Sequence, residues 1–266
     1  MYSLTYKRVK SLDEAKQFIA ANPDAKLMSG GMTLLPTLKQ RLAQPSHVVD
    51  IGALGELKGI EAKGDRLIVG AATRHFDVAS SAVVKKAIPA LAYLANLIGD
   101  PQVRNMGTMG GSIANNDPAA DYPSAVLALN ANVITTKREI AADNYFKGVF
   151  ATALDAGEII TKISFALPKR AAYSKFAHPA SGYAMTGVFV ADFGGGNVRV
   201  AVTGAGPGVF RWKEAEAALG KNFSKQAVSG LAVKADGLNA DIHAPAEYRA
   251  NLVKVMCERA VQSIAG

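Results

Sequence analysis

The chain has 266 residues, 49% of them hydrophobic and 20% charged, a composition that excludes a disordered or collagen-like polypeptide. No apolar run reaches the roughly 18 residues that a membrane-spanning helix requires. Lys and Arg number 30 against 22 Asp and Glu, a net charge of +8, but the basic residues are scattered without a basic helix or an aromatic-interleaved strip, so nucleic acid is not the expected partner.

Met1 to Lys10 alternates polar and apolar residues and has no signal-peptide core. Ser11-Leu12-Asp13-Glu14 is a capping box, and Leu12, Ala15, Phe18 and Ile19 follow on one helical face until Asn22-Pro23. Ala25 to Met28 reads as a short strand, Ser29-Gly30-Gly31-Met32-Thr33 as a tight turn, Leu34 to Leu42 as a helix and Val48 to Ile51 as a strand. Together they make a small βαβ unit. Leu57 to Glu61 and Arg66 to Ala71 predict two strands of a hairpin. Phe76 to Val84 and Ile88 to Ile98 predict helices, followed by a second glycine-dense segment, Arg104 to Ile113. Ser124 to Leu129 predicts a helix, and Asn132 to Thr136 and Glu158 to Ser164 predict strands.

Pro168-Lys169-Arg170 marks the expected domain boundary, giving 1–168 and 169–266 with a subdivision of the first near residue 55. Beyond it, Ala184 to Phe193 and Val198 to Thr203 flank Gly194-Gly195-Gly196-Asn197 as a hairpin. Arg211 to Leu219, Lys225 to Val233 and Ala246 to Ile264 predict helices packed on those strands. Cys257 is the single cysteine, in the last of these helices. One thiol cannot form an internal disulfide or hold an iron–sulfur cluster alone, and a cytoplasmic location is expected.

The two glycine pairs, Gly30-Gly31 and Gly110-Gly111, are flanked by Ser29, Thr33, Thr108 and Ser112. Without Cβ atoms such turns let consecutive backbone N–H groups converge on an anion, and the hydroxyls add donors. A helix start behind the first turn adds its partial positive charge. Two such turns suit the two phosphates of a dinucleotide, though neither matches the Rossmann or P-loop pattern. Either pair could equally be a plain tight connection. His47, His75, His178 and His243 show no metal-ligand spacing and are read as structural or exposed. No nucleophile or acid–base pair stands out, so no catalytic residue and no metal ligand is assigned.

Met28-Ser29-Gly30-Gly31-Met32-Thr33-Leu34-Leu35-Pro36 resembles the AGGxSLLP loop of the FAD-binding medium subunits of molybdenum hydroxylases. Arg104 to Asp121 is similar to that family's RNxGTIGGSLAxxDPAAD signature, and Ser181-Gly182-Tyr183-Ala184 to its GDYA stretch. The resemblance implies an α+β fold of the PCMH type. Two α/β subdomains, the second with a mixed sheet, would be followed by a C-terminal three-stranded antiparallel sheet with helices. It implies noncovalent FAD held along Lys26, Leu27, Met28, Ser29, Gly30, Gly31, Met32, Thr33 and Leu34, and by Gly107, Thr108, Met109, Gly110, Gly111 and Ser112. Asp117 belongs to the same signature, Asp121 matches the carboxylate on the adenosine ribose, and Ile98, Ile160 and Lys175 match further contacts. Tyr183 would lie against or near the isoalloxazine ring. Read alone, Asp117 or Asp121 could cap a helix, Tyr183, Ile98 and Ile160 could be core residues, and Lys175 a surface lysine.

The implied role is an electron-transfer subunit of a dehydrogenase complex. Electrons would come from a small [2Fe–2S] chain, the molybdenum cofactor would sit on a large chain, and the assembly would be a dimer of heterotrimers. Met32 and Ser181 depart from the family pattern, and the chain lacks the cysteines of the subgroup with an extra [4Fe–4S] cluster. A stand-alone flavin reductase and a flavin-free scaffold of the same fold are the alternatives.

Overall fold

Ser11 caps the first helix as its motif predicts, its hydroxyl accepting from the Glu14 N–H at 3.1 Å. In the computed structural model, which describes residues 1–265, this helix α1 (Leu12–Ala21) joins β1 (Thr5–Arg8) to β2 (Lys26–Met28). The short helix α2 (Leu34–Lys39) then leads to β3 (His47–Asp50). The three strands form a parallel sheet in the order β1-β3-β2. The βαβ unit is present, with β1 added along the far edge of β3. β1 is exposed over most of its length, as suits an edge strand whose Thr5, Tyr6 and Arg8 face solvent.

A 3-10 turn at Gly55–Leu57 precedes β4 (Ile60–Lys63) and β5 (Arg66–Gly70). The hairpin is as expected, but its first strand starts three residues late because Leu57 closes that turn and is buried. The stretch expected as one helix from Phe76 to Val84 is two, α3 (His75–Ser80) and α4 (Ala82–Ala87). Ser81 breaks it and caps the second, accepting from the Val84 N–H at 3.3 Å. Next come α5 (Pro89–Asn96), α6 (Pro101–Met106), α7 (Met109–Asn115) and α8 (Tyr122–Ala128). They are followed by β6 (Asn132–Thr135), β7 (Glu139–Ala141), α9 (Ala142–Tyr145), β8 (Phe146–Gly148), β9 (Ala151–Thr152) and β10 (Ile160–Ala166). The main sheet here runs β4-β5-β10-β6-β7, and each of its pairings is antiparallel, not mixed as the resemblance implies.

The C-terminal region holds β11 (Arg170–Ala177), β12 (Ala184–Asp192), β13 (Val198–Thr203) and β14 (Phe210–Arg211), then α10 (Lys213–Lys221), α11 (Lys225–Ser229) and α12 (Ala246–Ala265). Its antiparallel sheet has four strands where three are expected, since the two-residue β14 pairs with β13. Every residue of β12 is buried, so both faces of this sheet are covered. Val188, Val190, Val200 and Val202 pack on the C-terminal helices. Their neighbours Phe189, Ala191 and Ala201, with Tyr173, join the core formed by α5, α8 and β10. Strand periodicity sends alternate side chains to the two cores, so the boundary near Pro168 is crossed by packed apolar surface. Buried Arg199 reinforces the seam, donating to the Leu127 carbonyl at 2.8 and 3.0 Å and to Asp143 at 2.8 Å. Among the described residues no helix is long and apolar enough to cross a membrane.

Candidate functional site

A cleft of about 520 Å³ opens between the loop after β2 and the turn and helix around Gly107–Ser112. Two glycines bring these walls together. A Cβ on Gly30 would run into the Met106 carbonyl oxygen and sit 2.7 Å from the Gly107 Cα. The Thr108 hydroxyl crosses the seam and donates to the Ser29 Oγ at 3.1 Å. Gly31 adopts φ +71°, the left-handed region that favours glycine, and turns the chain back into α2. Among the described residues, the N–H groups of Gly30, Gly31, Met32 and Thr33 donate to no acceptor in the protein. A run of uncommitted donors lining a cleft is an anion cradle.

The second glycine pair is built differently. Thr108 caps α7 through a 3.3 Å bond from the Gly111 N–H, so Gly110 and Gly111 lie in a helix and not in a turn. The Met109 N–H donates to Thr73 O at 3.0 Å and the Gly110 N–H to Ala71 O at 2.8 Å. A Cβ on Gly110 would lie 2.6 Å from the Ala71 Cβ and 2.8 Å from its carbonyl oxygen. Gly110 is therefore required by the close packing of α7 on the turn that follows β5. Gly111 faces the cleft, and the Thr108 hydroxyl is all that its Cβ would meet, at 2.9 Å.

Every residue expected at the site lines this cleft except Met109 and Lys175. Met109 is wholly buried in the core. Lys175 stands behind the wall, where its ammonium donates to Asp121 Oδ2 at 3.0 Å and to Leu97 O at 3.1 Å. Asp121 Oδ1 accepts from the buried Tyr173 hydroxyl at 2.6 Å. Burial raises the Asp121 carboxyl, and the Lys175 charge and the Tyr173 hydroxyl pull against that rise. Asp121 stands at the start of α8 but its side chain makes no cap bond, so the helix-cap alternative fails. Asp117 Oδ1 accepts from the Ala119 N–H at 2.9 Å and shapes the turn before α8.

Tyr183 is half exposed at the cleft mouth. The N–H of the next residue, Ala184, donates to Ala119 O at 3.3 Å, which brings Tyr183 to the end of the cleft that Asp117 and Asp121 also line. Burial of its inner part raises its hydroxyl, and the Asp117 and Asp121 charges raise it further. Gly99 and Gly182 close the same end, a Cβ on Gly99 lying 3.2 Å from the Ser181 oxygen and 3.5 Å from the Gly182 Cα. Arg104 anchors this corner by donating to Ile98 O at 2.6 Å. Ile160 is buried at the start of β10 and contributes apolar wall.

Several lining residues were not legible beforehand. Glu158, with its side chain fully buried, borders the cleft beside Leu154 and Ile159. Burial works to raise its carboxyl, but bonds from Arg138, the Asp155 N–H and Thr135 hold it down at about 2. Phe150 stands in the hairpin between β8 and β9 at φ +52°. His75, expected to be structural or exposed, is 95% buried and lines the cleft beside Gly107. Neither its spacing nor its neighbours in sequence signal that position.

A family model described as "FAD binding domain in molybdopterin dehydrogenase" matches residues 2–169. The glyceraldehyde dehydrogenase medium chain of Sulfolobus acidocaldarius is 34% identical, covering 98% of each chain. The nicotine 6-hydroxylase medium subunit of Paenarthrobacter nicotinovorans is 35% identical over 97% of this chain and 96% of that one. In the solved structure of carbon monoxide dehydrogenase from Hydrogenophaga pseudoflava, one chain superposes with a TM-score of 0.90 at 35% identity, covering 99% of this chain and 98% of that one. Matched along its length in sequence and in fold, this chain belongs to the family of FAD-binding medium subunits of the molybdenum hydroxylases.

Proposed function

We propose that FAD lies along this cleft with its pyrophosphate on the free N–H groups of Gly30 to Thr33 and the hydroxyls of Ser29, Thr33 and Ser112. The uncommitted donors at that loop carry the reading, because they meet anionic oxygens without competing with a bond inside the protein. Gly107 and Thr108 close on the phosphates from the other wall, with Gly111 beside them. Lys26 to Met28 and Leu34 flank the cofactor, and Ile98 and Ile160 supply apolar contacts. Gly110 holds that other wall against Ala71, and Met109 and Lys175 act from behind, as supports.

Asp121 shares an end of the cleft with Tyr183, whose neighbour Ala184 is bonded to Ala119 O, and Tyr183 stands at the isoalloxazine in this reading. The adenosine role implied for Asp121 is accordingly revised to one at the flavin end. There its two oxygens, each already accepting one bond, hold that end in shape through Tyr173 and Lys175.

The chain serves as the electron-transfer subunit of a molybdenum-containing dehydrogenase complex. Bound FAD supplies the redox chemistry, exchanging electrons between iron–sulfur partners and an external acceptor. The chain binds that group, shields one face and leaves the Tyr183 end open. Cys257 is buried and its thiol is pushed up to about 12, which suits core packing better than metal binding. A small [2Fe–2S] chain and a large molybdenum chain, arranged as a dimer of heterotrimers in the cytoplasm, complete the proposed assembly.

The purified chain should bind one FAD and oxidise no small-molecule substrate. Assembly with its partner chains should restore substrate-driven flavin reduction. Absence of FAD binding, measured by visible absorbance after reconstitution, would overturn this reading, and turnover by the isolated chain would show a stand-alone flavoenzyme.

A further inference from the structure

We propose that His75 is a further phosphate-binding residue of the cleft, its Nε2–H donating to the diphosphate of the bound dinucleotide. This rests on the FAD reading above and adds a residue to which neither motif points.

The ring is fixed where the two glycine walls meet. The His75 backbone N–H donates to the Gly107 carbonyl at 3.0 Å. A Cβ on Gly107 would come within 2.6 Å of Nε2 and 2.9 Å of Cδ2, so the imidazole edge lies directly against the glycine that abuts Gly30. Glycine at 107 is thus needed by the histidine as much as by a ligand.

Both ring nitrogens lack a partner in the protein. Nδ1 is completely buried without one, and the imidazole centroid lies 5.2 Å from that of the Tyr122 ring. Nε2 makes no hydrogen bond among the described residues, and His75 meets open space at the cleft. A buried donor left unsatisfied is costly, and native structures seldom leave one without a ligand or water to complete it. An acceptor arriving at Nε2 selects the tautomer with the proton there and leaves Nδ1 as a buried lone pair, less costly than a buried N–H with no acceptor.

The neighbourhood also selects the charge state. Burial, with the Arg104 guanidinium, lowers the imidazole to about 4, so the free chain holds a neutral ring. A neutral N–H donor matches the cradle opposite, where backbone N–H dipoles meet the anion. The expected ligand class is a diphosphate shared by FAD and ADP and absent from riboflavin.

The test compares binding of FAD, ADP and riboflavin to the apo chain, to His75→Leu and to His75→Gln. Flavin binding is followed by fluorescence quenching, ADP by calorimetry and fold integrity by thermal melting. Losing one hydrogen bond to a charged group predicts a roughly tenfold or larger loss of FAD and ADP affinity in His75→Leu, with riboflavin little changed. Gln presents an amide N–H near the position of Nε2 and should recover most of that loss. Unchanged FAD and ADP affinity in His75→Leu would overturn the proposal. An equal loss for all three ligands would overturn it too, in favour of a role in folding alone. If the unmodified chain binds riboflavin but neither FAD nor ADP, the reading of the cleft as an FAD site falls, and His75 with it.

Discussion

In the first glycine pair, Gly31 turns the chain at positive φ and the N–H groups from Gly30 to Thr33 stay uncommitted. In the second, Gly110 and Gly111 begin a helix, and the N–H groups of Met109 and Gly110 are bonded to Thr73 and Ala71. One loop is a cradle and the other is a brace that holds the opposite wall on the turn after β5. Similar dipeptides therefore answer two different demands, donor availability in one case and close approach of a helix to a neighbouring turn in the other. The comparison separates binding from folding, and substitutions can test that separation.

Gly110→Val should have the largest effect. Its Cβ would collide with the Ala71 backbone and side chain, neither of which can swing away. Overpacking of this kind should cost about 3 kcal/mol or more, seen as a large fall in melting temperature and loss of soluble protein. A folded Gly110→Val chain that fails only to bind FAD would break the comparison.

Gly30→Ala should come next, with the damage confined to the cleft. The new methyl would strike the Met106 carbonyl and part the two walls. FAD binding should be lost at micromolar concentrations while the C-terminal core, which lies elsewhere, keeps its cooperative melt. An unfolded Gly30→Ala chain would show that the first loop is a brace as well.

Gly111→Ala sharpens the contrast inside one dipeptide. Its Cβ would meet the Thr108 hydroxyl alone, a single rotatable group. Ala favours a helix over Gly by about 1 kcal/mol, but moving the Thr108 hydroxyl weakens its cap on α7, so the two effects offset and stability should change little. FAD affinity should fall several-fold because the methyl enters the cleft, as calorimetry would report. A stability loss matching that of Gly110→Val would erase the distinction between the two positions.

Thr108→Val should be the mildest. It removes the cap on the Gly111 N–H and the bond to Ser29 but keeps the side-chain volume. Loss of such a cap costs about 1 kcal/mol of stability, measurable as a shifted denaturant midpoint with an unchanged slope. No change in midpoint would mean that the helix start is held by the Thr73 and Ala71 bonds alone.

Much of this was legible from residue order, because the signals are local. The Ser11 capping box, the hairpin at Lys63-Gly64-Asp65 and the valine-rich strands β12 and β13 each depend on neighbours a few positions apart. The long motifs located most of the cleft lining, since a ligand loop carries its donors in consecutive residues. What adjacency cannot reveal is which surface another segment will cover. The helix at Met109–Asn115 hides behind its glycines, because a glycine pair has weak helical propensity and only contact with Ala71 and Thr73 pays for it. Lys175 reads as a surface residue until the fold brings Asp121, 54 positions away, within 3.0 Å. His75 carries no spacing signal, and its place in the cleft follows from Gly107 being folded against it. The sequence by itself determined the local elements and the chemistry of the two loops; the tertiary structure decided which donors stayed free, since a backbone N–H is available to a ligand only when no distant carbonyl has taken it.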